Sequence, residues 1–172
     1  GRLRAVIARA GSETERMLER LFPNALLAHA ARVPGLYDLG SPASDGDPLV
    51  LLSLVPFEAK RGSTLHGYHL GRWPQETRAG SRNEYAPPEG FVEVTREAAR
   101  MRVSPHFRLG DFVTHDQADV WPKYVVLRTP LIDKLELVGA ALSAAGKADS
   151  LRVMSGFRTP AYNARGVRPG GG

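Results

Sequence analysis

Residues 151–163 read LRVMSGFRTPAYN, and the fold class turns on them. Leu151 to Met154 have strand character, Ser155-Gly156 makes a turn, and Phe157-Arg158 runs into Thr159-Pro160. Gly156 permits a tight bend. The ring of Pro160 disfavours helical backbone at Thr159 and holds it extended. The combination places one guanidinium, that of Arg158, at the mouth of a strand. Such an arginine can bind a carboxylate through two parallel hydrogen bonds or stabilise an oxyanion as it forms. It can equally serve as a surface residue that caps backbone carbonyls.

Upstream, Thr129-Pro130 opens the best helix in the chain. Leu131, Leu135, Val138 and Leu142 fall on one face, and Gly146 suits the position just past a helix end. Burying four such side chains would contribute about 1.5–3 kcal/mol each, so this face is expected to be core. Residues 90–95 (GFVEVT) alternate as a half-buried strand, with Phe91 on one phase and Val92 and Val94 on the other. Residues 49–55 (LVLLSLV) and 64–70 read as two strands joined through Lys60-Arg61-Gly62-Ser63, which suggests a hairpin. Ser104-Pro105 reads as a cap followed by Pro at the first helical position, and Thr114 with Gln117 as a capping box. A second such box, Ser12 with Glu15, opens a short amphipathic helix ended by Pro23. In the turn-rich residues 72–88, Trp73 and Tyr85 are the expected anchors.

With 172 residues, 42% hydrophobic and 24% charged, the chain has enough apolar material for a proper core and is not of the disordered class. The absence of Cys excludes disulfides and thiolate chemistry. The net charge is +5, but Lys and Arg are scattered without an aromatic-interleaved patch, so nucleic acid is not the expected partner. No run of 18 apolar residues exists, so no membrane span is expected. The Pro, Gly, Ser and Asp of residues 34–48 mark a boundary. Three parts follow: 1–47, an N-terminal helix and linker; 48–88, a strand and hairpin accessory region; and 89–172.

The five histidines do not show ligand spacing. His66 and His69 would face opposite ways on a strand, and His106 with Asp111 or His115 with Asp116 are loose pairs. Three or four converging ligands are needed for zinc, and no metal-ligand residue is assigned in this chain. No nucleophile elbow, phosphate loop or dinucleotide fingerprint occurs.

Residues 155–160 (SGFRTP) with Tyr162-Asn163 resemble the zinc D-alanyl-D-alanine carboxypeptidases and their bacterial cell-wall relatives, which share the hedgehog-type D,D-peptidase fold. So do SPHFRLGDF (104–112), DVWPKYVVL (119–127) and LIDKLELV (131–138), in that order, preceded by GYHLGRWP (67–74) and PPEGFVEVT (87–95). The resemblance implies an α+β fold: a partial D,D-peptidase domain over 89–172, with a small antiparallel sheet packed on a helix and an accessory N-terminal region before it. It implies a zinc metallopeptidase, a D,D-carboxypeptidase or endopeptidase, acting on peptidoglycan stem peptides in the bacterial cell envelope. Arg158 would be the catalytic oxyanion-stabilising residue, and Ser155, Tyr162 and Asn163 would line or brace the substrate cleft. The family's zinc-ligand motif and catalytic Glu follow this turn and are expected beyond Gly172, so this chain alone is expected to be inactive. The alternative is a non-catalytic module that holds cell-wall peptide or a partner.

Overall fold

The computed structural model describes residues 4–9, 29, 32–38, 49–77, 87–147, 151–154 and 156–166, with backbone alone at 4–9, 49 and 166. The expected helix after Ser12, the anchor Tyr85 and the site residue Ser155 lie outside these residues.

Five described strands form one sheet: β1 (Arg4–Arg9), β2 (Gly35–Asp38), β3 (Leu49–Pro56), β6 (Gly90–Val94) and β7 (Lys123–Val125). The order is β1-β3-β6-β7. β1 lies parallel to β3, and every other pairing is antiparallel. β2 pairs with β3 at its start, and β6 pairs with β3 at its end, where Leu54 faces Val92. A separate two-residue pairing joins β4 (Thr64–Leu65) to β5 (Tyr68–His69). Sixteen residues, Thr129–Ala144, make helix α1, and Pro160–Gly166 make the short helix α2. The chain is therefore α+β, with a small, mostly antiparallel sheet against a helix. None of the described helices is long and apolar enough to cross a membrane.

The sheet is buried on both faces because its side chains alternate. Leu54, Val92 and Val125 enter one core with Val103, Phe107, Leu109, Phe112 and Ile132. Their neighbours Val55, Phe91 and Tyr124 enter the other, with Leu65, Tyr68, Leu70 and Trp73. The alternation expected of residues 90–95 is present, but β6 is a buried central strand and not a half-buried one: Phe91, Val92 and Val94 are all fully buried.

The hairpin expected between residues 49–55 and 64–70 does not form. β3 spends its edges on β1, β2 and β6, and residues 64–69 fold back on themselves. His66 and Gly67 form the two-residue turn between β4 and β5, with φ of 46° and 86°. Positive φ at both central positions matches the twist of the flanking strands, which is why such turns favour tight hairpins.

Helix α1 begins and ends where the sequence placed it. Pro130 sits in its first turn. At the other end Gly146 adopts φ 62°; its N–H donates to the Ser143 carbonyl and that of Lys147 to the Leu142 carbonyl. Its buried face differs from the expected one. Ile132 is fully buried, whereas Leu131 and Val138 are 39% and 49% exposed. The inward stripe runs through Ile132, Leu135, Gly139 and Leu142. Ser104-Pro105 does not open a helix either. Phe107 N–H donates to Ser104 Oγ, and Val103 and Ser104 N–H both meet the Phe107 carbonyl, so residues 103–107 close a tight turn. Leu151 to Met154 join no strand among the described residues.

Two expectations follow. Ile132→Ala should cost about 2–5 kcal/mol, against under about 0.5 kcal/mol for Val138→Ala, in urea unfolding; equal costs would contradict the stripe. The second concerns Glu136 of α1. Burial raises its pKa, but hydrogen bonds from the Ser104 hydroxyl and from the His106 ring and backbone outweigh that and hold it below the ordinary 4.5. A lowered folded pKa gives stability that is fully present above 4.5 and is lost as pH falls through the folded value. Acid unfolding curves of Glu136→Gln should therefore lose less stability below pH 4.5 than the parent, and identical slopes would contradict the assignment.

Candidate functional site

The turn that carries Arg158 is fixed at three points, each far away in sequence. Thr114 is 2% exposed, and its hydroxyl donates to the Phe157 carbonyl at 2.7 Å. Gly156 lies against Phe112, where a Cβ would come within 2.6 Å of the Phe112 Cα. The Ala161 N–H donates to the Leu70 carbonyl at 3.1 Å. Gly71 next to it, at φ 87°, leaves room for that approach, since a Cβ there would sit 2.5 Å from the Ala161 nitrogen. The turn is thus bolted to residues 112–114 on one side and to 70–71 on the other.

Thr159 then starts α2. It is fully buried; its hydroxyl accepts the Tyr162 N–H at 3.0 Å and its carbonyl accepts the Asn163 N–H at 3.0 Å. Pro160 follows at the first helical position, where a missing N–H costs nothing. Between the bolted segments Arg158 is exposed, with its guanidinium carbon 5.8 Å from the centre of the Tyr162 ring. Arg158 and Tyr162 are therefore brought together. Asn163 contributes its backbone N–H to the helix start, while its side chain is exposed.

The hairpin β4–β5 is tied to the same region. Gln117, expected to close a capping box with Thr114, instead uses its side-chain amide as a strand surrogate: Oε1 accepts the His69 N–H at 2.8 Å and Nε2 donates to the His69 carbonyl at 3.0 Å. Gln117 adopts φ 49°, a left-handed conformation that a non-glycine residue holds at some cost. The Tyr68 hydroxyl donates to Asp116 Oδ1 at 3.3 Å. Lys123 is buried, and its ammonium donates to the carbonyls of Asp116 and Gln117. Burial lowers the Lys123 pKa, while the Asp116 and Asp119 charges pull it back up.

A second chain of polar groups crosses the sheet. The Tyr124 hydroxyl donates to Glu93 Oε2 at 2.8 Å, and the His66 Nδ1 stands 2.8 Å from the same hydroxyl. A phenol has one proton to give, so His66 Nδ1 is the donor in its contact. Burial first, then the neighbouring carboxylate, pushes the pKa of both Tyr68 and Tyr124 well above the ordinary tyrosine value. Both phenols therefore act as neutral donors. His106, which sequence spacing placed beside Asp111, is bound instead to Glu136 at 2.6 Å; Asp111 accepts the Arg108 N–H.

Among the described residues no three His, Asp or Glu side chains converge as metal ligands. His66 and His106 are each turned to a protein partner. Sequence reasoning missed Thr114 and Thr159 as holders of the site. Thr-Pro at 159–160 was the available signal for the second of them; nothing local marks the first. Comparison of the chain with protein-family models, with curated proteins and with solved structures finds no match in any of the three.

The Thr114 contact is testable by itself. Thr114→Val should destabilise by about 1 kcal/mol, the net worth of one hydrogen bond, while Thr114→Ser should restore most of it in the same unfolding series. Equal losses in both would assign the effect to packing and contradict the hydrogen bond.

Proposed function

We propose that this chain carries the substrate-recognition part of a zinc D,D-peptidase that acts on D-Ala-terminated stem peptides of the bacterial cell wall. One observation supports the reading above the others: the turn at 156–161, whose residues resemble that family's, is bolted on both sides and carries an exposed Arg158 whose guanidinium carbon lies 5.8 Å from the centre of the Tyr162 ring. A fixed guanidinium loses little entropy when it meets a planar anion. The terminal carboxylate of a stem peptide, or the oxyanion that forms at its scissile carbonyl, is such a group. The Tyr162 ring packs near the guanidinium, and the Asn163 side chain is exposed.

In this reading Arg158 recognises and stabilises negative charge. The family's metal supplies the activated water when bound. The residues described here do not supply its ligands, so the reading assigns recognition alone to this chain.

Calorimetry with a D-Ala-D-Ala-terminated peptide, as free acid and as amide, tests the role of Arg158. The acid should bind at least about tenfold more tightly, the worth of a charge-assisted pair. Arg158→Ala should erase that difference, and Arg158→Lys should recover part of it. Equal affinity for acid and amide would overturn the reading. A parallel assay should detect no released D-alanine from this chain, and chelator-sensitive release would contradict the assignment of recognition alone.

A further inference from the structure

A cavity of about 510 Å³ opens between α1 and the turn at 103–107, away from Arg158. That volume lies within the range of small-ligand sites. Its walls are apolar or small: Phe107, Leu135, Leu151, Gly139, Ala140 and Ala144. Gly139 widens it, since a Cβ there would meet nothing nearer than the Leu151 Cβ at 4.0 Å. The polar groups sit at two places on the lining. Glu136 and His106 mark one end and Ser143 the other, about 10 Å apart along the helix axis at 1.5 Å per residue.

Glu136 is the one carboxylate among the lining residues, and no Lys or Arg joins it. Its side chain is 18% exposed. It accepts the His106 N–H at 3.0 Å and the His106 Nδ1 at 2.6 Å, and the Ser104 hydroxyl also donates to it. Ser104 Oγ in turn accepts the Phe107 N–H, so the whole turn holds the carboxylate in place. A carboxylate has about four acceptor positions. Three are taken by the protein, which leaves one for a donor arriving through the cavity.

We infer that this cavity is a binding site for an aliphatic primary ammonium, such as a lysine-type side chain, with the ammonium on Glu136 and the alkyl stem along Leu135, Gly139 and Ala140. The chemistry fits each wall: apolar area for the methylene stem, one fixed anion for the charge, and a distance between polar ends that spans a short alkyl chain. A neutral alkyl group would leave the fourth acceptor position of the carboxylate unused, and an anion would be repelled by its charge. The assignment does not depend on the role of Arg158.

Amide-resolved NMR titration of the chain tests it, with acetyl-lysine-methylamide as probe, its norleucine counterpart as neutral control and pentylamine as a free amine. The lysine probe should shift the Gly139 and Ala140 amides saturably, and the norleucine probe should bind at least about tenfold more weakly. Glu136→Gln should weaken the lysine probe by a similar factor. Ala140→Phe, a change at an exposed helix position, should block it without disturbing the fold. Pentylamine titrating the same amides supports the site for a free amine; its silence beside a responsive lysine probe supports it for a peptide-borne one. Equal binding of norleucine, unaltered binding in Ala140→Phe, or no saturable shift at all would each overturn the inference.

Discussion

The structure depends on one strand serving two cores at once. Consecutive residues of β6 point to opposite faces, so Phe91 packs with Tyr124, Tyr68 and Trp73, while Val92 and Val94 pack with Phe112, Leu109 and Ile132. Each face then carries one of the two supports of the Arg158 turn. Leu70 belongs to the first core and its carbonyl receives the Ala161 N–H; Phe112 belongs to the second and abuts Gly156. A register slip in β6 would exchange its faces and separate both supports. The rigidity of the turn is thus a property of the sheet beneath it.

Charged groups beside the two cores are paired. Glu93 shares a phase with Phe91 and lies opposite Tyr124 in the ladder. It is half-buried, and the Tyr124 hydroxyl donates to it at 2.8 Å. Lys60 is handled alike: buried against Trp73 and Phe57, it pairs with Glu76 at 2.6 Å and donates to the Gly62 carbonyl. Breaking such a pair from one side leaves an uncompensated charge and costs more than the pair contributes.

The parts legible in the sequence are those written in neighbouring residues. Thr129-Pro130 and Gly146 set the ends of α1 because capping is decided within one turn. The inward face of α1 was misread because one of its positions is Gly139, which an apolar count does not register, whereas the exposed Leu131 and Val138 mimic a stripe. Hydroxyl signals misled for a related reason. Ser104 and Thr114 have the local look of helix caps, yet Ser104 closes a turn and Thr114 reaches Phe157, 43 residues on. The expected hairpin gave β3 the partner that follows it in sequence, residues 64–70, whereas β3 pairs with 4–9, 35–38 and 90–94. Arg158 and Tyr162 were legible through the Ser-Gly-Phe-Arg-Thr-Pro run, but what fixes them was not.

The central claim is that residues 156–161 are locked to the two cores and do not merely lie on the surface. Hydrogen exchange at the Ala161 amide reads this most directly, because that amide donates to the Leu70 carbonyl. Protection approaching that of the β6 amides, lost only on global unfolding, is the expected result. Exchange as fast as an unstructured chain would mean that the turn is loose, and the account of Arg158 as a pre-positioned anion receptor would fall with it.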